Sequence, residues 1–248
     1  MGGKRVLINL LLVAVYFFSI CVADCSNDLK DRAIQFFGSD LPGLMHLLQS
    51  KKSGDLFELY SGIYIQGTLS QRVLGFDLEI KFANNEIKIP GNRCDMRLRT
   101  TEFDIVTENS VIECKSSAKP STYAKEYFRQ FDKEQTMLDW LALVGRDYDN
   151  KTLKVDYYLK HDGAPVLFKL RGYSTCNKDI GVEFSWIRTD GEQDYVQQLI
   201  SLVKMLASKK FVVFFKEYVP VPFKEKLEYN NIAFCEGIDE FTSEYVEA

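Results

Sequence analysis

No stretch constrains this chain more than Glu102 to Ser116, which reads EFDIVTENSVIECKS. Two apolar runs, Phe103 to Val106 and Val111 to Ile112, flank a polar Glu108-Asn109 pair, the pattern of two strands joined by a two-residue hairpin loop. In that register Thr107 faces Ser110, Val106 faces Val111, Ile105 faces Ile112, Asp104 faces Glu113 and Glu102 faces Lys115. Side chains alternate along a strand, so Glu113 and Lys115 point one way and Cys114 the other. Opposed residues share a face. Glu102, Asp104, Glu113 and Lys115 therefore gather into one charged patch within strands whose other residues belong in a core.

A cross-strand ion pair between Glu102 and Lys115 on a solvated face contributes roughly 0.2 to 1 kcal/mol. It leaves Asp104 directly opposite Glu113, and like charges so placed destabilise a sheet. A divalent cation between the two carboxylates removes the objection. Hard oxygen ligands suit Mg²⁺, and a nearby ammonium can orient or deprotonate a water and steady charge on a phosphate. These residue types fit metal-assisted phosphodiester hydrolysis.

The sequence EFDIV followed by IECK resembles the Asp, then Glu-x-Lys, signature of the PD-(D/E)XK nuclease superfamily, which includes restriction endonucleases, archaeal Holliday-junction resolvases and many bacterial toxin nucleases. The resemblance implies that Asp104 and Glu113 ligate Mg²⁺ or Mn²⁺, that Lys115 is the catalytic lysine, and that the substrate is DNA or RNA. In the superfamily a helix before the core sheet often contributes an acid, for which Glu58 is the candidate. A glutamine on the helix after Glu-x-Lys often contacts a phosphate or an active-site group, and Gln130 and Gln135 both qualify by distance. A different alignment gives that role to Gln197 or Gln198 on a later helix. For Glu58, Gln130 and Gln135 an ordinary helix-surface role is the safer reading of the residues by themselves. The implied fold is α/β (α+β), a restriction-endonuclease-like mixed sheet flanked by helices.

A formal net charge of −4 gives no basic domain of the kind that announces nucleic acid. Phosphate contacts need only a local positive stripe. Arg93, Arg97 and Arg99 before the hairpin, and Lys119, Lys125, Arg129 and Lys133 after it, bracket the acids. Of these, Arg97, Arg99, Lys119, Lys125 and Arg129 are the candidate substrate contacts, although each alone reads as a solvated charge. His46 and His161 are the two histidines, and neither a CxxC nor a Cys/His cluster occurs, so zinc and histidine chemistry have little support.

The first segment, MGGKRVLINLLLVAVYFFSICVADCS, has Lys4 and Arg5, an apolar run from Val6 to Ala23 and a cleavage position after Ala23. It reads as a secretory signal peptide over 1–23, leaving residues 24–248 as one exported domain with no stable membrane insertion. A retained membrane anchor is the alternative, since about 18 apolar residues can just span a bilayer. Cleavage would leave Cys25, Cys94, Cys114, Cys176 and Cys235, an odd number that leaves at least one thiol unpaired in a monomer.

Along the chain, NDLKDRAIQFF and LPGLMHLLQ predict two short helices, the second started by Asp40 and Pro42. GDLFELYSGIYIQG predicts a third, with Leu56, Tyr60 and Ile63 on one face and Glu58 elsewhere. Leu74, Phe76, Leu78, Ile80 and Phe82 alternate as a strand, and an Asn84-Asn85 turn would return Ile87 and Ile89 opposite Phe82 and Ile80. RCDMRLR would turn Cys94, Met96 and Leu98 inward. A long helix over 121–145 carries Ala124, Phe128, Phe131, Leu138 and Ala142 on a stripe that Gln135 interrupts. LKVDYYL, PVLFKL and VEFSWI predict added strands, an insertion at about 150–190. Tyr157, Tyr158, Tyr173 and Trp186 there could stack on bases, but strand aromatics are more often core. Asp190 with Gln193 predicts a capping box for a helix whose Tyr195, Leu199, Val203 and Leu206 share a face. A buried FVVFF strand, a short helix led by Pro222 and a last strand complete the chain.

These features point to an exported Mg²⁺-dependent nuclease, a toxin or effector acting outside its producer, with a homodimer or an inhibitor protein as further partners. The competing reading is an exported non-catalytic binding protein that keeps a nuclease-like fold.

Overall fold

The alternating runs fold as strands and the amphipathic runs as helices in the computed structural model, which describes residues 27–83, 87–88, 97–98, 100–116, 124–190 and 194–237. The first three helices, α1 (27–37), α2 (Leu44–Gln49) and α3 (Ser53–Gly67), precede β1 (Val73–Phe82), the short β2 (Ile87–Lys88) and β3 (Arg97–Leu98), and the hairpin β4 (Thr100–Thr107) and β5 (Ser110–Lys115). Then come α4 (Ala124–Asp149), β6 (Lys154–Tyr158), β7 (Pro165–Arg171), β8 (Ile180–Arg188), α5 (Tyr195–Ala207), β9 (Lys210–Phe215), α6 (Val221–Tyr229) and β10 (Ala233–Cys235). Eight strands form one mixed sheet in the order β10-β9-β5-β4-β1-β8-β7-β6, so the fold is α+β. β5 pairs in parallel with β9 and β9 with β10, while the pairs from β5 through β6 are antiparallel. A parallel pair needs a long crossover; here it carries α4, three strands and α5.

Each face of the sheet has its own core. Phe131, Trp140 and Leu141 of α4, Leu199 and Val203 of α5 and Phe223 of α6 pack on Leu78, Phe103, Val111 and Phe215. On the opposite face, Ala33, Leu44, Phe57 and Ile65 of the first three helices pack on Phe76, Ile105, Ile112 and Phe214. Alternation should keep Phe76 and Leu78 on one face, yet they lie in opposite cores, and Phe103 and Ile105 are divided likewise. Between the first pair, Asp77 has φ +48°, a left-handed conformation that reverses the pleat. Asp77 is level with Asp104, because Phe76 pairs with Ile105 and Leu78 with Phe103. Both strands thus change face at a carboxylate.

Several expectations need correction. β1 is not followed by a hairpin return: Ile80 and Phe82 pair with Phe184 and Val182 of β8, and Ile87 pairs with Leu98. Asn84, Asn85, Ile89, Cys94 and Met96 lie outside the described residues. Helix α2 starts at Gly43 rather than at Asp40 or Pro42. Gly43 has φ +77°, and a side chain there would collide with the Phe76 carbonyl oxygen. This contact presses α2 onto β1 beside Asp77. On α3 the buried residues are Phe57, Leu59, Ser61, Gly62 and Ile65, while Leu56, Tyr60 and Ile63 are half-buried. The small Gly62 lets the helix approach so closely that an added Cβ would lie 2.6 Å from the Phe76 ring, which turns Glu58 toward the sheet. The cap of α5 is Asp194, whose side chain accepts the Gln197 N–H at 3.1 Å, rather than Asp190. Strands β6 to β8 extend the main sheet, and Tyr157, Tyr158 and Tyr173 are exposed rather than core. Trp186 is half-buried and donates its indole N–H to the Phe76 carbonyl at 2.9 Å.

Candidate active site

The hairpin forms as its loop predicts, with Ile105 opposite Ile112 and Val106 opposite Val111. Thr107 locks the turn, its hydroxyl accepting the Ser110 N–H at 2.9 Å and donating to the Ser110 carbonyl at 3.1 Å. The ladder ends there. Beyond Ile105 and Ile112 the carboxylate of Asp104 replaces a backbone partner, its Oδ2 accepting the Cys114 N–H at 2.6 Å. The predicted cross-strand pairs Asp104 with Glu113 and Glu102 with Lys115 are therefore absent from the β4–β5 ladder, and Glu102 pairs across to Glu79 on β1. Lys115 instead bonds Glu113 on its own strand.

Glu113 and Lys115 face α4. Glu113 is 3% exposed, and its Oε1 accepts from the Lys115 ammonium and from the Gln130 amide, the latter at 2.7 Å. The Lys115 ammonium also lies 5.4 Å from the centre of the Tyr127 ring. Glu134, one turn beyond Gln130, is 2% exposed. From the other side of the sheet α3 contributes Glu58, which bonds Asp77, and Asp77 Oδ2 accepts from Nδ1 of His46 at 2.8 Å. Cys114 turns away into the core under α1 to α3.

The electrostatics follow from crowding acids out of water. Burial, reinforced by Asp104 and Asp77, pushes Glu58 up to about 10. Burial, then repulsion from Glu113, raises both Asp104 and Glu134 well above the carboxylate range. Burial also raises Asp77, against the opposing hydrogen bonds from His46 and Glu58, and raises Glu102 beside Asp77 and Glu79. For Lys115, burial acts to lower the pKa, but the attraction and hydrogen bond of Glu113 outweigh it and the net shift is upward. Burial first, then the neighbouring Asp104 and Glu58, drives the Cys114 thiol far up, which makes it inert as a nucleophile.

Three buried carboxylate oxygens, Glu58 Oε2, Glu113 Oε2 and Glu134 Oε2, have no hydrogen-bond partner. Buried acceptors are normally paired. Unpaired oxygens among acids whose pKa values are raised suit a hard divalent cation, which would satisfy them and relieve the repulsion. Among the described residues no group of three His, Cys, Asp or Glu side chains forms a ready ligand set. Asp104 and Glu113 would thus hold such an ion as a pair, with water and backbone oxygens completing its shell.

Of the residues singled out from sequence, Asp104, Glu113, Lys115, Glu58 and Gln130 share one electrostatic cluster. Gln135 does not join it; its amide donates to Asp139 at 3.2 Å on an exposed part of α4. Gln197 and Gln198 line a groove with Pro42, Trp186 and Met205. Lys125 and Arg129 are exposed at the start of α4, Lys133 is half-buried, and Arg97 is described only as backbone in β3. Arg93, Arg99 and Lys119 lie outside the described residues. Three participants escaped sequence reasoning. Glu134 could have been found, since it stands between Phe131 and Leu138 on the apolar stripe and four residues after Gln130. Asp77 and His46 carry no such signal, because their meeting depends on the packing of α2 against β1.

Comparison with protein-family models, with curated proteins and with solved structures finds no match to this chain.

Proposed function

We propose that the chain is an exported, metal-dependent nuclease that hydrolyses phosphodiester bonds of DNA or RNA. The observation that carries this reading is the fixed orientation of Glu113: Lys115 and Gln130 both occupy its Oε1, leaving Oε2 buried and unpaired in a carboxylate that repels Asp104. Charge-assisted bonds of this kind hold a carboxylate in one rotamer. A structural ion pair has no use for the second oxygen. Export rests on the N-terminal run, which lies outside the described residues; among the described residues no helix is long and apolar enough to cross a membrane.

In this reading Asp104 and Glu113 bind Mg²⁺ or Mn²⁺, which when bound supplies Lewis acidity and neutralises charge developing on the phosphate. The Cys114 N–H bond aims Asp104, and Gln130 holds Glu113. Lys115, charged at neutral pH, contributes a second positive group to pair with a phosphate oxygen and orient the attacking water. Tyr127 flanks its ammonium and stacks on the buried Phe131. Glu58, neutral at pH 7, can lose its proton when positive charge arrives.

The test is incubation of the purified protein with supercoiled DNA and with structured RNA, in Mg²⁺, Mn²⁺ or EDTA. Metal-dependent cleavage that EDTA stops supports the proposal. Nucleic-acid binding with no cleavage in either metal would favour a non-catalytic binding protein, and neither activity would end the nuclease reading.

A further inference from the structure

Glu134 has no part in the hydrolysis as described, yet it is the most deeply buried acid of α4 that faces the site, and its Oε2 has no partner. Leaving a carboxyl in that state opposes folding. Phe131, Met137 and Leu138 beside it on α4 are fully or nearly fully buried apolar residues, while Glu113 and Gln130 lie toward the site, so Glu134→Met would extend the core on the apolar side.

We infer that Glu134 is a positioning residue, which acts through Gln130 to hold Glu113 in its metal-ready orientation. Residues four apart on a helix lie side by side. The Gln130 amide nitrogen has two hydrogens; one goes to Glu113 Oε1 at 2.7 Å, and the helical spacing sets the Glu134 carboxyl next to the amide, within reach of the second. A glutamine amide is nearly symmetric in shape, so packing does not choose whether nitrogen or oxygen faces Glu113. Acceptors on both sides do choose. Between Glu113 and Glu134 the nitrogen is the amide atom that can donate to both carboxyl groups at once. Removing the Glu134 acceptor frees the amide to rotate, and its oxygen would then repel Glu113.

This inference rests on the nuclease reading for its consequence but not for its geometry, and the experiment separates the two. Wild type, Glu134→Met, Glu134→Gln and Gln130→Ala are compared by three readouts: the ¹⁵N-resolved side-chain NH₂ signals of Gln130, thermal melts in EDTA and in Mg²⁺, and DNA cleavage. Wild type should show both Gln130 amide protons protected from exchange. Glu134→Met should lose that protection, melt about 2–4 °C higher in EDTA, and lose about 10- to 100-fold in metal affinity and cleavage rate. Glu134→Gln, which still offers a carbonyl to Gln130, should restore all three, and adding Glu134→Met to Gln130→Ala should cost nothing further. Unchanged Gln130 signals in Glu134→Met would overturn the inference whether or not the protein cleaves. So would a Glu134→Gln protein as impaired as Glu134→Met, which would mean direct action on the ligand. Protected Gln130 signals in a wild type that neither binds metal nor cleaves would overturn the nuclease reading and leave the positioning intact.

Discussion

Glu58→Gln should stabilise the metal-free protein, and more so at higher pH. Glu58 titrates near 4.5 when unfolded and at about 10 when folded. Between those values the folded chain holds a proton that the unfolded chain has released. The stability associated with this group is fully present below about pH 4.5 and is lost progressively as pH rises toward about 10. Each pH unit in that window costs about 1.4 kcal/mol, which sets a ceiling of roughly 5 kcal/mol at pH 8 and under about 1 kcal/mol at pH 5. Partial exposure and the shared repulsion with Asp104 and Asp77 reduce the ceiling, and about 2 kcal/mol is the expected gain at pH 8. Glutamine is neutral in both states and its amide can donate to Asp77 as the protonated acid does, so the fold loses no contact. The assay is urea unfolding of both proteins in EDTA at pH 5 and pH 8. The midpoint should shift up by roughly 1 M at pH 8 and little at pH 5. Equal shifts at both pH values, or a less stable variant at pH 8, would mean that Glu58 is ionised and paired, and would refute the electrostatic account of the site.

Lys115→Ala removes the positive partner of a carboxylate that is 3% exposed, and should cost about 3–5 kcal/mol at neutral pH together with all cleavage; denaturant melts measure the first and a plasmid assay the second. Gln130→Ala should lower the cleavage rate about 10- to 100-fold, whereas Gln135→Ala should leave it within a factor of two or so, because only the first touches Glu113. Cys114→Ser should keep cleavage, since the thiol points into the core on the other face, and should lose about 1–2 kcal/mol in the same melts from burying a hydroxyl.

Much of this architecture is legible in the sequence where the forces are local. The β4–β5 register follows from a two-residue loop between apolar runs, and it brought Asp104 near Glu113 and put Lys115 on the same side as Glu113 before any coordinates. The amphipathic face of α5 emerged as Tyr195, Leu199, Val203 and Leu206, all buried. Non-local packing decided the rest. Counting apolar residues on α3 put Leu56, Tyr60 and Ile63 inward, but the helix turns by the face where Gly62 allows contact with Phe76, and Glu58 comes inward with it. Strand alternation carried Asp77 outward, but its left-handed φ reverses the pleat, and nothing short of the partner strands dictates that. The ladder from β1 to β8 joins residues about a hundred positions apart, beyond any turn signal. Even the hairpin register was right only as far as Ile105, because Asp104 spends its carboxylate on the Cys114 N–H and parts the strands.

The central claim, that Asp104 and Glu113 form a metal-binding pair built for phosphodiester cleavage, meets its most direct test in one measurement. Supercoiled plasmid is incubated in Mg²⁺ with wild type and with Asp104→Asn, purified side by side and matched for melting behaviour in EDTA. The account predicts nicking by wild type alone, abolished by EDTA, and an Asp104→Asn protein at least as stable as wild type without metal because the repulsion on Glu113 is gone. Equal nicking by both proteins, or none by wild type in either Mg²⁺ or Mn²⁺, would contradict it.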